Sequence, residues 1–148
     1  MKVRIRQEKT IEHLEVVILC QERTPFVDQL AKKISQVSAF IIGKDSEGTV
    51  QLSIDDIYYF EAMENHTYIY CKDSLYHCEM KLYELESKLT GMTFQRISKS
   101  CILNLDKIKK AKGMINGRLI LELSNNEKLV VNRSYVAKLK DCVKSFYS

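Results

Sequence analysis

With 148 residues, 45% of them apolar and 28% charged, the chain has the material for one soluble domain with a real core, or one domain and a short extension. One proline and five glycines exclude a long linker. The start MKVRIRQEKT lacks the apolar stretch of a secretory signal, and runs such as VVILC are far too short to span a bilayer, which predicts a cytoplasmic protein. The net charge of +4 hides an asymmetry: residues 44–91 hold four Lys/Arg against ten Asp/Glu (−6), whereas residues 92–148 hold twelve against four (+8). A basic segment of that size points to an anionic partner, nucleic acid being the commonest; the plainer alternative is a solvated lysine-rich surface.

In chain order, VRI (3–5) and LEVVIL (14–19) read as two short strands. TPFVDQLAKKISQV follows as a helix, with Thr24 as cap, Pro25 at the first helical position and Phe26, Leu30, Ile34 and Val37 on one face. The rhythm changes near Ala39. AFIIGK and TVQLS flank a DSEG turn, and Asp55-Asp56 fits a tight turn or one-turn helix better than a catalytic pair. IYYFEAM (57–63) and TYIYCK (67–72) flank the polar turn ENH, and LYHCEM (75–80) follows. KLYELESKL (81–89) is a helix stopped near Gly91. FQRI and CILNL come next, then IKKAKGM (108–114), an Asn116-Gly117 turn, RLILEL (118–123) and KLVVN (128–132). SYVAKLKDCVKSF (134–146) closes the chain as a helix with Val136, Leu139 and Val143 on one stripe. About ten short strands between 39 and 132, with three helices around them, make the fold mostly β with short helices.

Five cysteines without a C-x-x-C pair predict buried reduced thiols rather than disulfides or a zinc site. Phosphate-cradling glycine loops and the nucleophile-elbow motif are absent, His13, His66 and His77 lack metal-ligand spacing, and His77 and Cys78 point to opposite faces of a strand. The sequence therefore predicts no enzyme, no cofactor, no metal and no small-molecule substrate. One stretch stands apart. TFQRISKSCILNL begins with cations among serines and ends apolar, as a solvated loop, a small-anion site or a phosphate-facing surface would.

DDIYYFEAMENHTYIYCKD, LYELESKL, TFQRISKSCILNLDKI and NGRLILELSNNEKLVVNRSYVAKLK, taken in that order, resemble a LytTR domain, the DNA-binding module of one class of bacterial transcription regulators. The resemblance covers about two-thirds of the chain, from about Ile42 to Phe146, with Ser98 standing where the family commonly has His. It implies antiparallel sheets, a small ββα extension over 1–40, a DNA-binding domain over 41–148, and DNA read by loops rather than a recognition helix. Residues 1–40 are too short for the receiver domain that many relatives carry, so the chain looks like a stand-alone regulator.

By position, the family's DNA-reading residues fall on Asn65 or His66, on Lys99 and on Arg133. Arg96, Ser98 and Ser100 edge the duplex with Lys99, Arg96 packing partly inside its loop, while Asn132, Ser134 and Tyr135 supply phosphate donors. The side-chain chemistry agrees. A guanidinium fork suits guanine O6 and N7, a lysine suits phosphate, and an imidazole or amide in a turn can donate to a base edge. The reading is a sequence-specific double-stranded DNA-binding regulator, with a homodimer and a membrane-protein regulator left open. The alternative is a protein-interaction module without DNA binding.

Overall fold

The computed structural model describes the backbone of residues 1–37, 39–113 and 115–147, and the side chains of these except Ile115 and 143–147. Helix α1 (Pro25–Gln36) starts as its sequence dictates: the Thr24 hydroxyl accepts from the Val27 N–H and Pro25 occupies the first turn. Ten strands follow: β1 (Phe40–Asp45), β2 (Gly48–Ser53), β3 (Ile57–Met63), β4 (His66–Cys71), β5 (Leu75–Cys78), β6 (Phe94–Ser98), β7 (Cys101–Asn104), β8 (Ile108–Gly113), β9 (Leu119–Leu123) and β10 (Lys128–Val131). Helix α2 (Leu82–Lys88) separates β5 from β6, and α3 (Arg133–Tyr147) follows β10. Asp55 and Asp56 lie in a single 3-10 turn, Ile54–Asp56, as expected of a structural pair.

The strands form two antiparallel sheets, one of seven strands in the order β2-β1-β5-β4-β3-β7-β6 and one of three in the order β10-β9-β8. β3 is buried on both faces, and a bulge between Ile57 and Tyr59 adjusts its side-chain alternation. Ile57 and Phe60 join Ile41, Ile69, Leu82, Leu85 and Leu89 in a core under α2. Tyr58 and Tyr59 join Ile97, Leu103, Leu121, Leu123, Val131 and Leu139 in a second core, between the seven-stranded sheet, the three-stranded sheet and α3. The α2 stripe of Leu82, Leu85 and Leu89 is thus as read from its spacing. On α3, Val136 and Leu139 face the core as expected, and Val143 lies outside the described side chains.

A buried polar network ties α1 to this body. Gln36, fully buried, accepts from the Thr93 N–H at 2.8 Å. The Thr93 hydroxyl donates to Asn104 Oδ1 at 2.9 Å, and Asn104 Nδ2 donates to the Ile57 carbonyl at 2.9 Å. Each of these polar groups has a partner, the condition for tolerating them in a core.

Three expectations are corrected. Residues 1–24 hold no strand, so VRI and LEVVIL do not pair and the ββα extension reduces to an extended arm leading into α1. A strand needs neighbouring backbone groups to bond, and residues 1–24 do not lie along any edge strand of the two sheets. The apolar face expected on α1 is covered unevenly: Leu30 and Ile34 are half-buried, whereas Phe26 and Val37 are exposed. The cysteines are all free thiols, but Cys20, on the arm, is exposed rather than buried.

Candidate nucleic-acid interface

The β3–β4 hairpin closes with a two-residue turn at Glu64 and Asn65, both at positive φ (52° and 65°), the geometry that matches strand twist. Asn65 is therefore at the tip. His66 opens β4 opposite Met63 and is exposed, its Nδ1 lying 3.4 Å from Nε2 of His77 on β5. Glu64 sets a carboxylate beside Asn65, so this tip is less cationic than the β6–β7 turn.

The β6–β7 turn carries Lys99 and Ser100 beyond the Ser98–Cys101 pair. A bulge at Ile97 shifts the register between Arg96 and Ser98. The bulged residue buries its side chain while its carbonyl accepts from the Asn132 N–H at 3.0 Å, joining this turn to the start of α3. Arg96 is occupied. Its Nε donates to Glu86 at 2.7 Å and its Nη1 donates to the Lys99 carbonyl at 2.7 Å, so it clamps the turn from behind. Ser98 Oγ accepts from the Ser100 N–H at 3.2 Å and lies 3.4 Å from Ser100 Oγ, holding the turn from inside. Lys99 alone projects its charge outward. Beneath it Cys101 anchors the turn in the core, where burial, with the Glu61 charge adding, pushes its thiol up to about 12.

At the start of α3, Asn132, Arg133 and Ser134 are exposed and Tyr135 half-buried against the second core. The Arg133 stem lies over Gly117, where an added Cβ would meet its Cγ and Cδ at 3.1 Å. Gly117 also has a φ of +74°, so glycine is needed there for conformation and for space. Among the described residues the Arg133 guanidinium has no ion-pair or hydrogen-bond partner.

Topology brings these pieces to one end of the seven-stranded sheet. The Ala62 N–H, next to the β3–β4 turn, donates to the Ser100 carbonyl at 2.8 Å, and the Asn132–Ile97 bond adds α3. Asn65, His66, Lys99, Ser100, Asn132, Arg133 and Ser134 therefore share an edge, with Arg96, Ser98 and Tyr135 behind them. A cavity of about 280 Å³ there is lined by Glu86, Gln95, Arg96, Lys99, Tyr135 and Lys138. Lys138, missed in the sequence, stands three residues beyond Tyr135 on the same helix face; that i, i+3 spacing was the available signal. Exposed Arg118 follows Gly117 and is a second cation missed at this end. Part of the +8 lies elsewhere: Lys109, Lys110 and Lys112 are exposed on β8, an edge strand that charges protect from pairing.

Residues 47–144 match the sequence family described as the LytTr DNA-binding domain. The transcriptional regulatory protein YpdB of Escherichia coli K12 is 34% identical over 95 residues, covering 64% of this chain and 39% of that protein. The sensory transduction protein LytT of Enterococcus faecalis is 32% identical over 87 residues, covering 59% of this chain and 36% of that one. The chain thus spans about two-fifths of the length that such relatives have. Among solved structures, the LytTr DNA-binding domain of a putative methyl-accepting/DNA response regulator from Bacillus cereus superposes with a TM-score of 0.68 over 72% of this chain and 97% of that one, at 23% identity, which establishes the shared fold. Among the described residues no helix is long and apolar enough to cross a membrane, and no group of three or more His, Cys, Asp or Glu is placed to hold a metal ion.

Proposed function

Because the chain belongs to the LytTr DNA-binding domain family, we propose that it is a sequence-specific double-stranded DNA-binding regulator of transcription, acting as a homodimer and without catalysis. Residues 41–148 form the DNA-binding unit, and residues 1–40 serve as an extension. The observation that carries this reading is the convergence of two hairpin turns and a helix start on one edge, joined by the Ala62–Ser100 and Asn132–Ile97 hydrogen bonds. That edge presents loops rather than a helix face. Arg133, without a partner among the described residues, reads a base edge, guanine O6 and N7 being the match for its fork, and Lys99 holds a phosphate. Asn65 or His66 reaches a second base edge, while the exposed Ser134 at the start of α3 takes a backbone phosphate.

The test is selection from random double-stranded DNA, followed by titration of the enriched and a scrambled duplex at rising salt. The expected result is preference for the enriched duplex and a linear fall of log K with log salt. Binding that is salt-insensitive, or indifferent to sequence at every salt, would reject the assignment in favour of a protein-interaction module.

A further inference from the structure

Within the arm, residues 1–24, Thr24 caps α1 and Arg23 meets Asp28 at 2.6 Å, but the two apolar runs lie open. The arm exposes Val3, Ile5, Leu14 and Leu19 at 83–98%, and Val16 and Val17 at more than half. Within residues 1–23 the Ile11 N–H to Glu8 carbonyl bond is the single backbone hydrogen bond among the described residues, so both runs keep open strand edges. An alternating apolar run with an open edge is a template for strand pairing. The two runs differ in charge. The first carries Lys2, Arg4 and Arg6, and the second carries Glu12 and Glu15. Arg6 meets Glu8 at 2.8 Å, whereas Lys2, Arg4, Glu12 and Glu15 have no ion-pair partner among the described residues.

We propose that the arm is a strand-exchange interface for a second copy of this chain, the basic run (residues 2–6) pairing antiparallel with the acidic run (12–19) of the other copy, and the reverse. Each surface then supplies what the other lacks, as a two-fold contact requires. In extended backbone Val3 and Ile5 share one face, and so do Leu14 and Val16; paired edge to edge, with Val3 opposite Val16 and Ile5 opposite Leu14, they line one side of the ribbon while Arg4 and Glu15 meet on the other. A hairpin within one arm would be a lone two-stranded ribbon, marginal in water, whereas two arms give four strands. Of the edge strands β2, β6, β8 and β10, β8 repels the basic run, since it carries Lys109, Lys110 and Lys112. Closing the apolar residues of two arms removes on the order of 1,000 Å² from water, the lower range for a specific interface.

This deepens the homodimer in the proposed function, and the experiment separates the two. Sedimentation of the full chain at about 100 µM, where even a micromolar dimer is saturated, should give the mass of two chains. Ile5→Asp with Leu14→Asp should give one chain with unchanged thermal unfolding, since neither side chain packs on the body. Arg4→Glu and Glu15→Lys should each weaken association about tenfold through like-charge contact, and mixing these two variants should restore it. Restoration on mixing requires pairing between copies, because a hairpin within one arm would stay repelled. A wild-type monomer overturns both the arm and the dimer. A dimer indifferent to all four substitutions, or one that mixing fails to restore, overturns the arm and leaves the dimer standing.

Discussion

The β6–β7 turn and the start of α3 are neighbours on one edge, yet they are built in opposite ways. The turn is bonded inward, through Arg96 to Glu86 and to its own backbone, through Ser98 to Ser100, and through the buried Ile97 and Cys101. Among the described residues, the start of α3 is tied to the turn through the Asn132 N–H and closes on itself through the Tyr135 N–H, and its arginine lies over a glycine with its fork unclaimed. Identical residue types therefore carry different duties. Arg96 is a fastener, and Arg133 is free to choose a partner from outside.

The largest effect should come from the network that supports the turn. Asn104 serves Thr93, Ile57 and Asp106 at once, so Asn104→Ala should lower unfolding free energy by about 3 kcal/mol by leaving buried groups unpaired, measured by urea denaturation. Arg96→Ala should lower stability by about 2 kcal/mol through two lost charge-assisted bonds. Arg133→Ala should leave stability nearly unchanged and instead remove about 1–3 kcal/mol of discrimination between enriched and scrambled duplex, read by competition binding. The contrast breaks if these two arginines exchange their phenotypes. Lys99→Ala should keep most of that discrimination while reducing the slope of log K against log salt by about one.

A further effect is confined to alkaline solution. The Cys101 thiol, pushed from 9.0 up to about 12 chiefly by burial, stays protonated in the fold while the unfolded chain begins to ionise near pH 9. The unfolded state then binds fewer protons, so stability should fall between about pH 9 and about 12 and be insensitive to this thiol at neutral pH. Urea midpoints of wild type and Cys101→Ala against pH should converge as pH rises through that window.

Local patterns made most of the fold legible. IYYFEAM is β3 residue for residue, Thr24 and Pro25 start α1 as their chemistry requires, and Asn116-Gly117 adopts the positive φ at both positions that its composition favours. What sequence periodicity could not show was anything set by pairing at a distance. Asn65 and Lys99 share an edge only because Ala62 bonds Ser100, and Lys138 joins Lys99 only because α3 packs behind β6. Arg96 illustrates the same limit, since nothing near it in the chain announces Glu86 as its partner. The strands expected at 3–5 and 14–19 failed for a related reason: propensity identifies a residue suited to a sheet, but the sheet must exist.

Gln36 has a mechanical consequence. Because its amide is fully buried and bonded to Thr93, α1 is riveted to the body that carries the β6–β7 turn. Two copies joined near α1 would then act as a stiff caliper along the duplex. In the proposed dimer such a caliper would read rotational phase as well as letters: moving the half-sites apart by about 5 base pairs would turn one of them to the far side, and about 10 would bring it back.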